Sequence, residues 1–497
     1  MNDRRSFARG LVPALLALAA TNPAPVTALH RLERSGATTE PLRFVQEWSV
    51  RLPDTGRPVA LSSPNVATIG GRPAVVVGDR AGFVYALSLA DGHNMPGWPA
   101  STGGIPVDST PSVYALQPGS PDDTIFVGVG DVSTTREGGY EAFGADGRAL
   151  WFVHVKNPRS DRAAGASSPV QASLAVGDLQ GSADVVAPSL SQEEYALDAA
   201  TGTTLRGFPW FTADDDFSTP ALAALYGGNK TYIVEGGDST PGTSYGTRYG
   251  RGGHLRVIEP TGRAGSSNPS GGLVCEYNAD QAVESSPAVG PFLADGATGI
   301  AVGTGTYWAG ASQSDTLLAL GTHCQLVWSQ LLDGATTSSP ALVGVGSRLD
   351  VAEGTNEGDG RGSAYVLDGA TGSVLWRRAL PGAVIGSVVA ADLGSGYEDL
   401  VVPTTHGAYV LVASSGRLVA VLGSKLGLQS SPLVTNDPNG TVGITLAGYN
   451  AREQGEVVHL EVPGSRGSSA AGPGSWPMFH HDPQLTGVSG RLAGPAG

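Results

Sequence analysis

The chain has 497 residues, 40% hydrophobic and 15% charged, with 72 glycines, 34 prolines and a formal net charge of −15. That glycine content is about twice the roughly 7% of an average protein, and each mid-helix glycine costs about 1 kcal/mol, which excludes a helical bundle. The absence of a Gly-X-Y period excludes collagen, clustered Val, Leu and Ile exclude disorder, and the acidic balance opposes nucleic-acid or anionic-membrane binding. The expected class is a folded, turn-rich, all-β protein.

The N-terminus carries Arg4-Arg5-Ser6-Phe7, an apolar stretch over residues 11–20, and Val26-Thr27-Ala28 as a small-residue cleavage site. Residues 1–28 therefore read as an export signal, and the paired arginines resemble a twin-arginine signal. About ten apolar residues are too few for a membrane span, which needs roughly 20. The expectation is a periplasmic or secreted protein without a transmembrane span, with residues 29–41 as a linker. Next, Phe44-Val45-Gln46-Glu47-Trp48-Ser49-Val50 reads as a strand that precedes every repeat.

From there a Ser-[Ser/Thr]-Pro triplet recurs roughly every 50 residues, with its proline at Pro64, Pro111, Pro169, Pro220, Pro287, Pro340 and Pro432. Gly386-Ser387-Val388 fills the one missing place, so there are eight units between residues 42 and 465. In each unit the triplet opens a short apolar run. A Val-rich run follows, such as Ala74-Val75-Val76-Val77-Gly78 or Asp399-Leu400-Val401-Val402-Pro403, then an alternating run, a turn and a last run that often carries Trp. Continuous apolar runs suit strands buried on both faces. A four-stranded antiparallel unit repeated radially is a propeller blade. The sequence predicts an eight-bladed β-propeller, closed when the strand around Trp48 completes the eighth blade.

The segment Ala364-Tyr365-Val366-Leu367-Asp368-Gly369-Ala370-Thr371-Gly372, followed by Leu375-Trp376, resembles the docking pattern of the quinoprotein-like propellers with pyrroloquinoline-quinone-type repeats. A partial copy runs from Ala196 to Gly202, with Arg206 in the Trp position. The resemblance covers roughly residues 42–465 and implies blade packing by Trp and a turn made by the Asp-to-Gly segment. The enzymes of that family hold a quinone over calcium and, in the alcohol dehydrogenases, place adjacent cysteines against it. The only cysteines here, Cys275 and Cys324, are not adjacent and lack zinc spacing. They fall in neighbouring units, where an inter-blade disulfide is the one defensible pairing. No calcium ligand or catalytic base of the family maps onto this sequence, so no cofactor is expected, with quinone and calcium kept as alternatives. The tail Ser475-Trp476-Pro477-Met478-Phe479-His480-His481-Asp482 looks like a segment seen at the ends of secreted propellers of this group. Residues 466–497 are read as a Gly/Ser linker and an apolar clip over a blade.

Two loops, Asp178 to Asp184 and Asp392 to Asp399, resemble calcium loops of the FG-GAP type. Neither has acidic residues at its middle positions, which favours Asp-capped turns. Gly242-Thr243-Ser244-Tyr245-Gly246 matches a nucleophile elbow, yet no helical pattern follows it.

Fold rules place the connections between second and third strands on one face, beside the connections between blades. Several are enlarged and carry aromatic and charged residues suited to recognition. These are Arg136 and Glu137; Tyr245, Arg248, Tyr249 and Arg251; Tyr307 and Trp308; Asn356, Glu357, Asp359 and Arg361; and Tyr449, Asn450 and Arg452. Nearer the central channel the position three before the triplet proline is Asp108, Phe217, Glu284, Thr337 or Gln429, with Asp216 beside Phe217. Asp108, Asp216 and Glu284, with His406, are the acid/base candidates if the ring is an enzyme. The preferred expectation is a monomeric, non-catalytic binding or scaffold propeller that recognises a polysaccharide, peptide or envelope protein. A quinone-dependent dehydrogenase or a carbohydrate-active enzyme is the alternative.

Overall fold

Each Val-rich run becomes the second strand of a sheet, and Arg72–Gly78, Thr124–Val129 and Asp399–Thr404 are buried along most of their length. Both faces of such a strand meet a neighbouring sheet, so alternation with polar residues disappears. The computed structural model describes residues 42–489 except 57–58, 60, 118, 134–136, 156–167, 214–215, 239–241, 245–246, 263–270, 346–347 and 466–475, with backbone only at 242–244 and 247–249. The export signal and linker expected before residue 42 lie outside the described residues, as does the Gly/Ser linker.

Eight four-stranded antiparallel sheets result. The first blade pairs Asn65–Ile69, Arg72–Gly78, Phe83–Ser88 and Ala100–Ser101 in that order. The eighth orders Leu433–Asn436, Val442–Tyr449, Gln454–Val462 and then Val45–Thr55. The N-terminal strand thus closes the ring, with Trp48 opposite His459 and Val50 opposite Val457. The fourth blade carries an extra hairpin, Gly242–Ser244 with Thr247–Tyr249, between its second and third strands. The core lies between sheets: Ala67, Val76 and Ala86 of blade one pack against Val113, Ile125 and Val127 of blade two. Each fully buried Val, Leu or Ile contributes about 1.5–3 kcal/mol, so stability is spread around the ring.

The triplet now has a physical reading. Its first serine bonds within its own blade, as where Gly78 N–H donates to Ser62 Oγ at 2.8 Å. The second hydroxyl joins blades. Main-chain N–H groups donate to the next blade's hydroxyl in the order Ser63 to Thr110, Thr110 to Ser173, Ser173 to Thr219, Thr219 to Ser286, Ser286 to Ser339, Ser339 to Ser387, Ser387 to Ser431, and Ser431 back to Ser63, at 2.8–3.2 Å. Eight bonds close a circle around the channel. In blade three the member is Ser173, followed by Leu174, not the Ser168 that precedes Pro169; there the hydroxyl, rather than the proline, is the part the ring requires.

The outer rim uses a second stitch. Trp48, Trp98, Trp151, Trp210, Trp328 and Trp376 donate their indole N–H to a backbone carbonyl of the following blade, at Leu89, Ala145, Ala199, Gly271, Gly369 and Ala413, over 2.6–3.0 Å. In blade three the donor is Trp210, not the Arg206 position that the docking pattern marks. The receiving turn is built by its Asp: Asp368 Oδ1 accepts both the N–H and the O–H of Thr371, at 2.9 Å each. Gly372 follows at φ +73°, and a Cβ there would lie 2.6 Å from the Trp328 ring, so glycine is required twice over. In blade four the register position held elsewhere by Trp, opposite Val257 and beside the strand irregularity, is Cys275. It is joined by a disulfide to Cys324 in the equivalent turn of blade five, Cα–Cα 5.8 Å. A covalent bond stands where an indole would dock.

The C-terminal segment from Trp476 to Ser489 enters the channel itself. Val113, Val176, Leu222, Val289 and Val434 donate their N–H groups to its carbonyls at Pro483, Gln484, Thr486, Gly487 and Pro477; Ala390 and Trp476 exchange two more bonds, and Asn65 Nδ2 reaches Pro483 O. These partners belong to the innermost strands or strand starts of seven blades. The segment is a plug shared by the ring, broader than a clip on one blade.

Candidate functional site

The plug makes the central channel a well. Its cavity of about 320 Å³ is walled by the hydroxyl circle and by Leu61, Asp108, Gln171, Phe217, Glu284, Thr337, Ile385 and Gln429, with Phe479 contributed by the plug. Every channel residue expected three before a triplet proline lines it. The mouth lies among the blade connections, on the face that also carries the loops between second and third strands.

Its two carboxylates differ. Asp108, 3% exposed, takes a bidentate bond from Arg80, Nε to Oδ1 at 2.7 Å and Nη2 to Oδ2 at 3.0 Å. Burial still pushes its pKa up, against the lowering by Arg80. Glu284 has no such partner among the described residues, and desolvation raises its pKa. Asp216 is buried and does not line the well. His406 is an exposed turn residue whose Nδ1 lies 3.2 Å from Thr405 Oγ1. The four acid/base candidates therefore do not converge.

A second constellation resembles a catalytic triad. Asp437 Oδ2 lies 3.0 Å from His459 Nε2, and His459 Nδ1 lies 2.9 Å from Thr445 Oγ1. Thr445 is fully buried and the ring of Trp48 stacks on His459 at 5.2 Å. No substrate reaches such a hydroxyl, so the triad braces the closing blade.

The enlarged loops hold their residues in separate arrangements. Trp308 is the most tightly built: Gln281 donates from Nε2 to Trp308 O at 2.9 Å and accepts from Trp308 N–H at 2.8 Å, while the indole reaches Gly252 O at 3.2 Å. Tyr307, 47% exposed, stands edge-on to Trp308 at 4.8 Å, and Arg251 donates to Ala309 O at 3.3 Å. The loops of blades four and five thus share one braced aromatic pair. Asn356 is tied by its backbone to Ala335, and Arg361 forms an exposed ion pair with Asp359 at 2.6 Å. Tyr449 accepts from Gln429 Nε2 at 3.2 Å, which orients a well residue, while Asn450 caps its own turn by accepting the Arg452 N–H at 2.9 Å. Arg136 and Tyr245 lie outside the described residues, and Arg248 and Tyr249 are described by backbone alone, in the blade-four hairpin. Sequence reasoning passed over Arg80, Gln171, Phe479 and the hydroxyls as site residues; the hydroxyls were visible as a repeat but carried no sign that they face a cavity.

The two calcium-like loops use their carboxylates on themselves. Asp178 Oδ1 accepts Gly181 N–H, Asp184 Oδ2 accepts from Leu179 and Gln180, and Asp392 Oδ1 accepts from Gly394 and Gly396. Among the described residues no group of three His, Cys, Asp or Glu could hold a metal ion. Asp399 is fully buried, receives Ser395 Oγ at 3.2 Å on one oxygen and has no partner on the other. Desolvation raises its pKa to about 7. Folded Asp399 thus holds its proton more tightly than an unfolded aspartate, near 3.9. The stability it contributes is complete below about pH 4 and lost as pH rises through about 7. Asp399→Asn is expected to raise the melting temperature at pH 8 and to leave it nearly unchanged at pH 4. Thermal melts at both pH values, with and without Ca²⁺, check this; a Ca²⁺-dependent rise lost in the variant would assign the loop to metal.

A polycarboxylate quinone does not fit the described well. No guanidinium is among the described residues that line it, the Arg80 beside it is already bound to Asp108, and Glu284 adds a further negative group.

No family model and no curated protein matches the sequence. Solved structures do match. BamB from Moraxella catarrhalis aligns at 15% identity and TM-score 0.51, over 85% of this chain and 99% of that one. The quinohemoprotein alcohol dehydrogenase ADHIIG from Pseudomonas putida HK5 aligns at 12% identity and TM-score 0.56, over 85% and 76%. A europium-containing methanol dehydrogenase aligns at 12% identity and TM-score 0.54, over 84% and 93%. No helix among the described residues is long and apolar enough to cross a membrane. What this chain shares with those proteins is the eight-bladed propeller.

Proposed function

We propose that the protein is a non-catalytic, extracytoplasmic binding propeller that engages its ligand through the face bearing the enlarged loops and the mouth of the well. The observation that carries this reading is the Tyr307–Trp308 pair, in which Gln281 holds both the N–H and the carbonyl of Trp308 and the indole is joined to blade four through Gly252. A rigid, partly exposed aromatic pair supplies contact area with little ordering cost on binding. The acid/base candidates are dispersed, so the same face lacks a convergent catalytic set among its described residues. Of polysaccharide, peptide and envelope protein, the hydroxyl-lined well favours the first.

Tyr307→Ala is expected to weaken ligand capture by about 1–2 kcal/mol while the melting temperature stays close to wild type. Pull-down against cell-wall polysaccharide, with thermal melts alongside, makes the measurement, and unchanged capture counts against the reading. The dehydrogenase alternative has its own test, since dye-linked alcohol oxidation on adding quinone and Ca²⁺ would overturn a non-catalytic role.

A further inference from the structure

The hydroxyl circle leaves unused hydrogen-bonding capacity inside the well. Each oxygen accepts one main-chain N–H, yet among the described residues none of the eight O–H groups has an acceptor. All eight residues are buried, from 1% exposed at Thr219 to 6% at Ser339, and all line the cavity. Donors therefore surround the well. Its carbonyl and carboxyl acceptors are Gln171 Oε1, buried without a partner, the Glu284 carboxyl, and the Oε1 of Gln429, whose Nε2 is held by Tyr449. Asp108 is neutralised by Arg80, and Phe217 and Phe479 offer aromatic faces.

These features discriminate among ligand classes. A cation is met by Glu284 and Gln171 Oε1 but leaves the eight O–H donors without acceptors. An anion meets Glu284 without a free guanidinium. An apolar guest leaves the hydroxyls unpaired, which is what makes polar sites selective. A ligand that accepts around its periphery, donates at a few points and has an apolar face satisfies all of them, and the cavity is at the small end of the roughly 300–1,000 Å³ of small-molecule sites. We propose that the well binds one uncharged sugar ring, an end or branch residue of a polysaccharide held by the loop face; this rests on the binding reading above.

The test uses the full chain and calorimetry at millimolar concentrations of cellohexaose, maltohexaose, mannohexaose and, as a cationic probe, n-hexylamine. At least one hexasaccharide is expected to bind saturably. Gln171→Leu should weaken it about tenfold, the loss of one good hydrogen bond, and Glu284→Gln, which keeps an acceptor, should change it much less. Because Gln171 Oε1 supports no other group, the variant should melt like wild type; Gln171→Met, which keeps the length of the side chain and removes the acceptor, serves if it does not. The inference is overturned by absent saturable binding to all three sugars, by binding indifferent to Gln171→Leu, or by hexylamine binding that Glu284→Gln abolishes. If Tyr307→Ala alone weakens sugar binding, the loop-face reading stands and the well assignment fails.

Discussion

Removing residues 475–497 is expected to destabilise the whole ring and not only its last blade. The innermost strand of a propeller blade presents one unpaired edge to the channel, and such edges are satisfied by water or by another chain segment. Here the tail takes main-chain donors from Val113, Val176, Leu222, Val289, Ala390 and Val434 in six different blades. It also buries Trp476, Met478, Leu485 and Val488. His480 sits among them with its two ring nitrogens 2.6 Å and 3.1 Å from the carbonyls of Leu485 and Pro287, and burial holds its pKa down to about 4. Loss of Trp476 alone is worth about 3–5 kcal/mol by analogy with other buried aromatic truncations, so the full deletion should exceed that figure. Urea denaturation of the two chains measures it. A truncated protein that unfolds at the same midpoint would show that the tail lies in the channel without supporting it.

The second large effect is expected at the seam. Trp48→Ala removes an indole that is 8% exposed, stacks on His459 and donates to Leu89 O in blade one at 2.9 Å. The expected cost is about 3–5 kcal/mol, and it falls on the closing blade, whose outer strand Val45–Thr55 pairs with Gln454–Val462 from the far end of the chain. Opening should therefore begin inside blade eight, between Val45–Thr55 and Gln454–Val462. Hydrogen exchange provides the check: the amides of Gln454–Val462 and Val45–Thr55 should lose protection well before those of Asp399–Thr404. Uniform loss of protection around the ring would mean that the seam is no weaker than any other junction.

The seam also shows what was legible in advance. A strand with Trp48 ahead of the first repeat has no partner in its own unit, and eight units leave one outer place empty, so closure follows from counting. Five of the rim positions were equally readable, because the residue three before the triplet proline lines the well in blades two, four, five, six and eight. Cys275 was not. Its equivalence to a docking tryptophan depends on register with Val257, and no sequence spacing in so variable a unit reveals it. The role of Ser173 was hidden for the same reason, since a nearby Ser-Ser-Pro offered a better match to the local pattern than the residue that completes the hydroxyl circle.

Periodicity and turn chemistry, which act over a few residues, determined the blade, the number of blades and the face on which each loop lies. The sequence also marked Tyr307, Trp308 and Glu284 as residues of that face. Only the closed ring decided which of these residues meet. Asp108 acquires Arg80, Trp308 acquires Gln281, Tyr449 acquires Gln429, and eight hydroxyls separated along the whole chain form one circle above Phe479. Such contacts depend on the curvature and register of eight sheets together, quantities set by packing between blades and by no single stretch of chain.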